Sequence, residues 1–427
     1  MIKFLHTADL HLGKIFHDQS LGEDQTAMMN GITRLLEDES YAALIIAGDV
    51  YDRSIPSPDA VELFGSFLGD LKRKRPSIEI FVIPGNHDSA SRLGFGRELF
   101  ARLGIRFAVS AGDCDKPVIV EKDGERCAFF LLPFLNPGAL EGGDPSGRSP
   151  GDAPGRSPGG ESVRTEVSLR SQSALAEEAG RRMEKVRREL TGACHSVLVS
   201  HLFASGSAEA GSERVFLGNA ELVNLSCFKG FDYIALGHLH RCQRAGENAW
   251  YPGSPLAYSF GEASLGGIRQ EKFLLSVELT EYGAEVEKIP VKPLRNVTSL
   301  SGPFALFSGD IPADSELLAV KDDYLEIRLT DRGITENARD ILRRRFPRLL
   351  SLRQDEALAG LSSALAAKQP DGEGPFGEKP IAGRRSVSAD FRDFLVGLYG
   401  ETNNPDLSAE IELFNTLLAE TEAEEGS

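Results

Sequence analysis

Residues 3–11 read Lys3-Phe4-Leu5-His6-Thr7-Ala8-Asp9-Leu10-His11, a short run of strand character that ends on an acid and a histidine two apart. The same grammar recurs further along the chain. Ala43–Ala47 runs into Gly48-Asp49-Val50-Tyr51-Asp52, and Glu79–Ile83 runs into Gly85-Asn86-His87-Asp88. Later, Ser196–Ser200 ends at His201, and Tyr233–Leu236 ends at Gly237-His238-Leu239-His240. Short apolar or β-branched runs closed by glycine or polar residues read as buried strands. Between the first three, Glu23–Ser40 and Pro58–Lys74 read as helices, the second through Val61, Phe64, Phe67, Leu68 and Leu71 at helical spacing. Strand–helix–strand order at these lengths predicts a layered α/β domain.

Strand carboxyl ends in such a domain converge on one crevice. Five of the eight histidines fall at those ends, beside Asp9, Asp49 and Asn86, so chance placement is a poor explanation. In Asp9-x-His11 and His238-x-His240 the two side chains share a side if the backbone stays extended. The donors are imidazole, carboxylate and amide oxygen, with no thiolate. That mixture suits Mn²⁺, Fe or Zn²⁺ better than Ca²⁺ or Mg²⁺. Seven donors exceed one tetrahedral site, which points to two ions sharing a carboxylate, roughly 3.5–4 Å apart. Glycine before Asp49 and His238, and Gly85 before Asn86, lets the backbone turn sharply and approach an ion closely.

The whole chain has 427 residues, room for two or three domains of about 150 residues each. With 41% hydrophobic and 26% charged residues it is ordinary globular material, neither fibrous nor wholly disordered. No apolar run is long enough to span a bilayer. The first residues lack a signal-peptide pattern, and five cysteines without a CxxC pair suggest free thiols, so a cytoplasmic location is expected. The net charge of -17 argues against a protein that coats nucleic acid, but residues 401–427 alone carry eight acids and no Lys or Arg. Residues 137–165 contain 17 Gly, Pro or Ser in 29 positions and read as a disordered insertion. A helix is expected at Ser171–Leu190 and a hairpin at Lys272–Leu279 with Ala284–Ile289. A strand at Tyr324–Thr330 and a helix at Ile334–Phe346 suggest a small α/β unit, followed by a linker and two amphipathic helices in 388–427.

Taken together, Asp9-x-His11, Gly48-Asp49-x-x-Asp52, Gly85-Asn86-His87-Asp88, His201 and Gly237-His238-x-His240 resemble the five signatures of calcineurin-like metallophosphoesterases. The opening His6–Lys14 and Tyr251-Pro252-Gly253-Ser254-Pro255 are similar to the SbcD family, nuclease subunits of bacterial SbcC–SbcD complexes. The resemblance spans nearly the whole chain apart from the insertion. It implies a layered β-sandwich core flanked by helices over 1–290, a capping, DNA-binding domain over 291–354, a linker over 355–387, and a partner-docking arm over 388–427. It also implies that Asp9, His11 and His240 hold one Mn²⁺, that Asn86, His201 and His238 hold a second, and that Asp49 bridges them. Mg²⁺ or another divalent ion is an alternative occupant. His87 stabilises the transition state in this scheme, and Asp88 orients His87 or a ligand. Asp52 stands where archaeal relatives carry histidine, which leaves its part open between supporting a ligand and facing the substrate.

The expected function is Mn²⁺-dependent hydrolysis of DNA phosphodiesters, exonuclease on duplex ends and endonuclease on hairpins or single strands. It would serve DNA repair, recombination and replication in a nucleoid-associated complex. The expected partners are DNA, an SbcC-type SMC-like ATPase and a second copy of the chain within a heterotetramer, with no membrane. A small-substrate enzyme, such as a cyclic-nucleotide phosphodiesterase or a protein phosphatase, shares the five motifs and is the competing reading. Residues 321–353, with nine Lys/Arg against six Asp/Glu, favour the nuclease, with Arg343, Arg344 and Arg345 as candidate DNA contacts.

Overall fold

Side chains alternate across a strand, and in this protein both faces of the central strands are apolar. Such strands must be covered on both sides. The computed structural model describes residues 1–140, 171–190, 194–205, 222–265, 268–309, 315–331 and 337–354. The linker and helical arm expected beyond 354, and most of the Gly/Pro/Ser insertion, lie outside these residues.

The first sheet contains β1 (Ile2–Thr7), β2 (Tyr41–Ala47), β3 (Glu79–Ile83), β4 (Ile105–Phe107) and a late hairpin. The second contains β5 (Val118–Lys122), β6 (Glu125–Leu132), β7 (His195–His201), β8 (Tyr233–Gly237), β9 (Gln243–Arg244) and β10 (Ala249–Tyr251). The late hairpin is β11 (Phe273–Thr280) and β12 (Gly283–Pro290). Strand order is β12-β11-β1-β2-β3-β4 in one sheet and β9-β10-β8-β7-β6-β5 in the other. Strands β1 to β4 pair in parallel, as do β6, β7 and β8, so their carboxyl ends lie along one edge of each sheet.

Phe4, Ile45, Phe81, Phe129, Val199 and Tyr233 fill the space between the sheets. Their neighbours Leu5, Ile46 and Val82 face outward, under helices α1 (Gly22–Leu35) and α2 (Pro58–Lys74). Phe130, Leu198 and Leu236 face α3 (Gln172–Glu189) on the other side. Four layers result: helix, sheet, sheet, helix. Each fully buried phenylalanine between the sheets contributes roughly 1.5–3 kcal/mol. His6 is the polar exception there, with its Nδ1 3.0 Å from the Tyr233 hydroxyl, and burial pushes its ring down to about 3, so it stays neutral.

Local chemistry sets the boundaries. Ser57 and Ser171 cap α2 and α3 by accepting from Ala60 N and Ala174 N. The first helix stops at Leu35 rather than Ser40. Asp38 accepts from Ser40 N, forming a turn. The buried Arg75 guanidinium takes up the carbonyls of Leu36 and Tyr41 at 2.5 and 2.9 Å. Val61, expected on the apolar face of α2, is 47% exposed, while Phe64, Phe67, Leu68 and Leu71 are buried. Strands β4, β5 and β6 escape the sequence reading, although Asp123-Gly124, both left-handed (φ 52° and 84°), is the turn chemistry of a tight hairpin.

Residues from 291 form a parallel sheet, β13 (Val297–Gly302), β14 (Tyr324–Leu329) and β15 (Leu349–Gln354). Its helix α4 is Ala338–Arg343, entered through a left-handed Asn337 (φ 56°). This is shorter than the Ile334–Phe346 expected, of which 334–336 fall outside the described residues. Phe307, Ile327, Leu342 and Phe346 make a core of its own. It is fastened to the main body by the buried Asp24, which accepts from the Tyr324 hydroxyl (2.7 Å) and from Arg295 Nη1 (2.9 Å).

Candidate metal centre

The loops after β1 and β2 run side by side, with Asp9 N donating to Gly48 O and His11 N to Asp49 O, both at 3.0 Å. This is where the extended-backbone expectation fails. Asp9, His11, Asp49 and His238 have φ of 55°, 43°, 48° and 112°, so the side chains converge through left-handed turns. Non-glycine residues at such angles cost energy and persist where neighbours over-determine them. Here His238 N donates to both Asp9 oxygens (3.0 and 3.2 Å), and His87 N donates to Asp49 Oδ1 (2.9 Å). The glycines are required by space: a Cβ on Gly237 would lie 1.8 Å from the Ala47 carbonyl oxygen, and one on Gly85 would lie 2.1 Å from Asp49 Oδ1.

All seven expected ligands meet. Asp9, His11 and His240 offer atoms within 4.8 Å of one another, and Asp9, Asp49 and His201 do the same. Asn86 Oδ1 lies 3.0 Å from His201 Nε2 and 3.1 Å from His238 Nδ1. Asp49 Oδ2 is 3.5 Å from His201 Nε2 and 3.8 Å from His11 Nε2, placing it between the two groups.

The donor set fits cations. His201 Nδ1 donates to the Ala47 carbonyl (2.8 Å), so in the neutral ring Nε2 carries a lone pair facing two oxygen acceptors. His11 Nε2 and His240 Nε2 face each other at 3.1 Å, and His238 turns Nδ1 to Asn86 Oδ1 at 3.1 Å. Lone pairs turned together call for positive charge. Burial works against a charged His201, yet the Asp49 and Asp9 carboxylates outweigh it and push the ring up to about 9. Burial pushes Asp9 up to about 7, whereas Asp49 is held well below the usual carboxylate range because His201 and His11 outweigh its burial. Burial also drives His11 down to about 4 and His238 to about 3, keeping both neutral as ligands must be.

The surrounding residues sort by contact. Asp88 accepts from Gly85 N, Val50 N and Tyr51 N at 2.9–3.0 Å, so it ties the Asp49 loop to the Asn86 loop and does not hold the His87 ring. The His87 ring is instead oriented by Nδ1, which donates to the Asp52 carbonyl (2.9 Å). The Asp52 carboxylate is paired with Lys14 Nζ (2.8 Å) and lies 3.5 Å from His11 Nδ1. Lys14, Asp52, Arg53, Ser54, Asn86 and His87 line an open cleft of about 470 Å³. His17 is outside the centre, its ring beside Phe16 and Phe260.

Three supporting residues escaped the motif reading. Gln25 on α1 holds the first loop, donating to His11 O (2.7 Å) and accepting from Gly13 N (3.0 Å). Glu262 and Lys272 are paired at 2.8 Å beside His240. A lone acid in the apolar stretch Leu256–Ala263 was a usable sign of a buried carboxylate, while nothing in the sequence marked Gln25.

The three arginines at and just beyond the end of α4 are not brought to the centre as one group. Arg343 and Arg344 are exposed, but Arg345 is partly buried and donates to the Gly309 carbonyl. Much of the basic excess is spent internally, since Arg328 and Arg353 both pair with the buried Glu326 (2.8 and 3.0 Å).

Known proteins resemble the chain over most of its length. The family model described as calcineurin-like phosphoesterase matches residues 2–242. The SbcD nuclease subunit of SbcCD from Staphylococcus saprophyticus is 28% identical over 355 residues, covering 82% of this chain and 84% of that protein. Solved structures that resemble the chain include TT1561 of Thermus thermophilus (13% identity, 67% of this chain and 98% of that one, TM-score 0.35). A dimetal phosphatase from Danio rerio is another (14% identity, 68% and 99%, TM-score 0.36). With a family match across more than half the chain, enclosing every one of the seven donors, the chain belongs to the calcineurin-like phosphoesterases and is a metal-dependent phosphoesterase.

Proposed function

We propose that the protein is a DNA nuclease of the SbcD type, Mn²⁺-dependent, cutting duplex ends as an exonuclease and hairpins or single strands as an endonuclease, in DNA repair, recombination and replication. The observation that carries this reading is the reach of the likeness to an SbcCD nuclease subunit. It covers 82% of the chain, more than residues 1–290 could supply. A small-substrate phosphoesterase needs no such extension. In the proposed centre Asp9, His11 and His240 hold one divalent ion, Asn86, His201 and His238 hold the other, and Asp49 is shared. Ions there supply Lewis acidity toward a phosphoryl oxygen and an attacking water. His87, held through Nδ1 and bordering the cleft, delivers a proton from Nε2 to the leaving oxygen as the P–O bond to it breaks. Lys14 and Arg53 border the same cleft and suit the charge of a phosphate backbone, with Arg343 and Arg344 as outlying contacts.

The partner reading follows the same line: an SbcC-type ATPase bound through 388–427, in a cytoplasmic, nucleoid-associated assembly. The assay that separates the two enzyme classes pits hairpin DNA against a cyclic nucleotide with Mn²⁺, with and without the ATPase. The nuclease reading expects the hairpin to be cut and the cyclic nucleotide spared; the reverse preference would overturn it. Removing 388–427 is expected to abolish ATPase association while a small phosphodiester is still hydrolysed. Retained association would refute the docking role.

A homodimer is also proposed, supported by Phe95, Leu99 and Leu103, which are 84%, 69% and 59% exposed and four residues apart. A row of exposed large apolar side chains marks an interaction surface. Leu99→Glu is expected to convert the dimer to monomer in light scattering, and an unchanged mass would place the contact elsewhere.

A further inference from the structure

Each metal-binding histidine needs its other ring nitrogen fixed, and this protein fixes two of them with different chemistry. His201 Nδ1 is held by a neutral backbone carbonyl, that of Ala47. His240 Nδ1 lies 3.0 Å from Glu262 Oε1, a carboxylate with only 5% of its surface exposed. The second carboxylate oxygen, Oε2, accepts from Lys272 Nζ at 2.8 Å. Lys272 also donates to Ser254 Oγ (2.8 Å) and to the backbone carbonyl of His240 itself (3.1 Å). The ring and the main chain of one ligand are therefore gripped by the two ends of a single ion pair, its Glu262 buried and its Lys272 side chain 11% exposed. Ser254 belongs to the Tyr251–Pro255 segment, and through it that segment seats the ammonium.

We infer that Glu262 and Lys272 form a charged clamp that sets the affinity of one of the two metal positions, the one shared by Asp9, His11 and His240, acting through His240. This rests on the two-ion reading of the centre. A carboxylate on Nδ1 keeps the proton there, leaves the Nε2 lone pair toward His11 Nε2, and makes that nitrogen a stronger donor than a carbonyl partner would. Burial of Glu262 adds rigidity, because without its lysine it would be a costly buried charge. Both residues are positioning residues and make no contact with the reacting atoms.

The test follows Mn²⁺ binding to the full chain by isothermal titration. In the double variant Glu262→Gln/Lys272→Gln, which removes both charges together and strands neither, one dissociation constant is expected to weaken about 10- to 100-fold while the other stays unchanged. Lys272→Arg, which keeps the charge, is expected to retain wild-type binding. Glu262→Asp, which withdraws the carboxylate by one methylene, carries the same expectation as the double variant and serves if that variant fails to fold. Two constants within twofold of wild type, or an equal loss in both, would overturn the clamp. A wild-type chain that holds a single ion defeats the two-ion reading instead, and the clamp is then judged on whether that ion is weakened.

Discussion

His87→Ala is expected to lower phosphodiester hydrolysis by about 10²–10⁴-fold, the range of a positioned general acid, while the metal content stays at its wild-type level. The separation of these two effects follows from what His87 touches. Its ring is oriented by the Asp52 carbonyl and meets the His11 ring edge-on, centroids 4.9 Å apart, but its hydrogen bond to a metal ligand comes from the main chain, His87 N to Asp49 Oδ1. Alanine keeps that bond and removes only the imidazole. Measuring hydrolysis of a chromogenic phosphodiester beside the bound metal on the same sample checks both halves. Activity within a few-fold of wild type would remove His87 from the reaction, and loss of metal would make it a structural element of the centre.

Asp49→Asn is expected to do the opposite, emptying the centre and stopping hydrolysis as a consequence. The carboxylate stands between His11 and His201 at 3.8 and 3.5 Å, and Asn keeps its shape but not its charge. As the proposed bridge between two ions Asp49 affects both, so bound metal should fall below one ion per chain. The same pair sets the pH dependence of loading. In the metal-free protein His201 is pushed up to about 9, so below that pH an incoming ion must displace a proton. Apparent affinity is therefore expected to rise with pH up to about 9 and to flatten above it. The rise is as much as tenfold per unit above about 7, where one proton is displaced, and steeper below 7, where Asp9 also carries a proton. A variant that keeps two ions, or loading indifferent to pH between 6 and 9, would contradict this account of Asp49 and His201.

The layered fold and the seven donors were legible because they rest on local rules. Strands buried on both faces leave continuous apolar runs, such as Leu44 to Ala47 and Phe81 to Ile83, and polar residues directly after them stand out. What closes the centre is less local. Asp9, His11 and His238 reach their places through left-handed backbone, which a period-two argument cannot foresee for residues other than glycine. Asp88 sits next to His87 in sequence, yet its carboxylate belongs to the turn of two loops. Gln25, Glu262 and Lys272 act across long sequence separations, where only folding shows the partner. Counting charge also has limits. The nine basic residues of 321–353 look like a free basic face, but Arg328 and Arg353 answer the buried Glu326, and Arg345 answers a carbonyl. The basic run at 72–75 likewise hides Arg75, which is buried and holds the end of α1.

Hydrolysis of DNA phosphodiesters by this chain, as proposed, needs two bound ions and not one. That requirement is tested most directly by plotting hairpin-DNA cleavage, with the ATPase partner present, against the number of Mn²⁺ ions bound per chain. Cleavage is expected to lag behind occupancy, to curve upward and to reach its plateau only at two ions. Cleavage that rises in proportion to the first ion and is complete at one would contradict it.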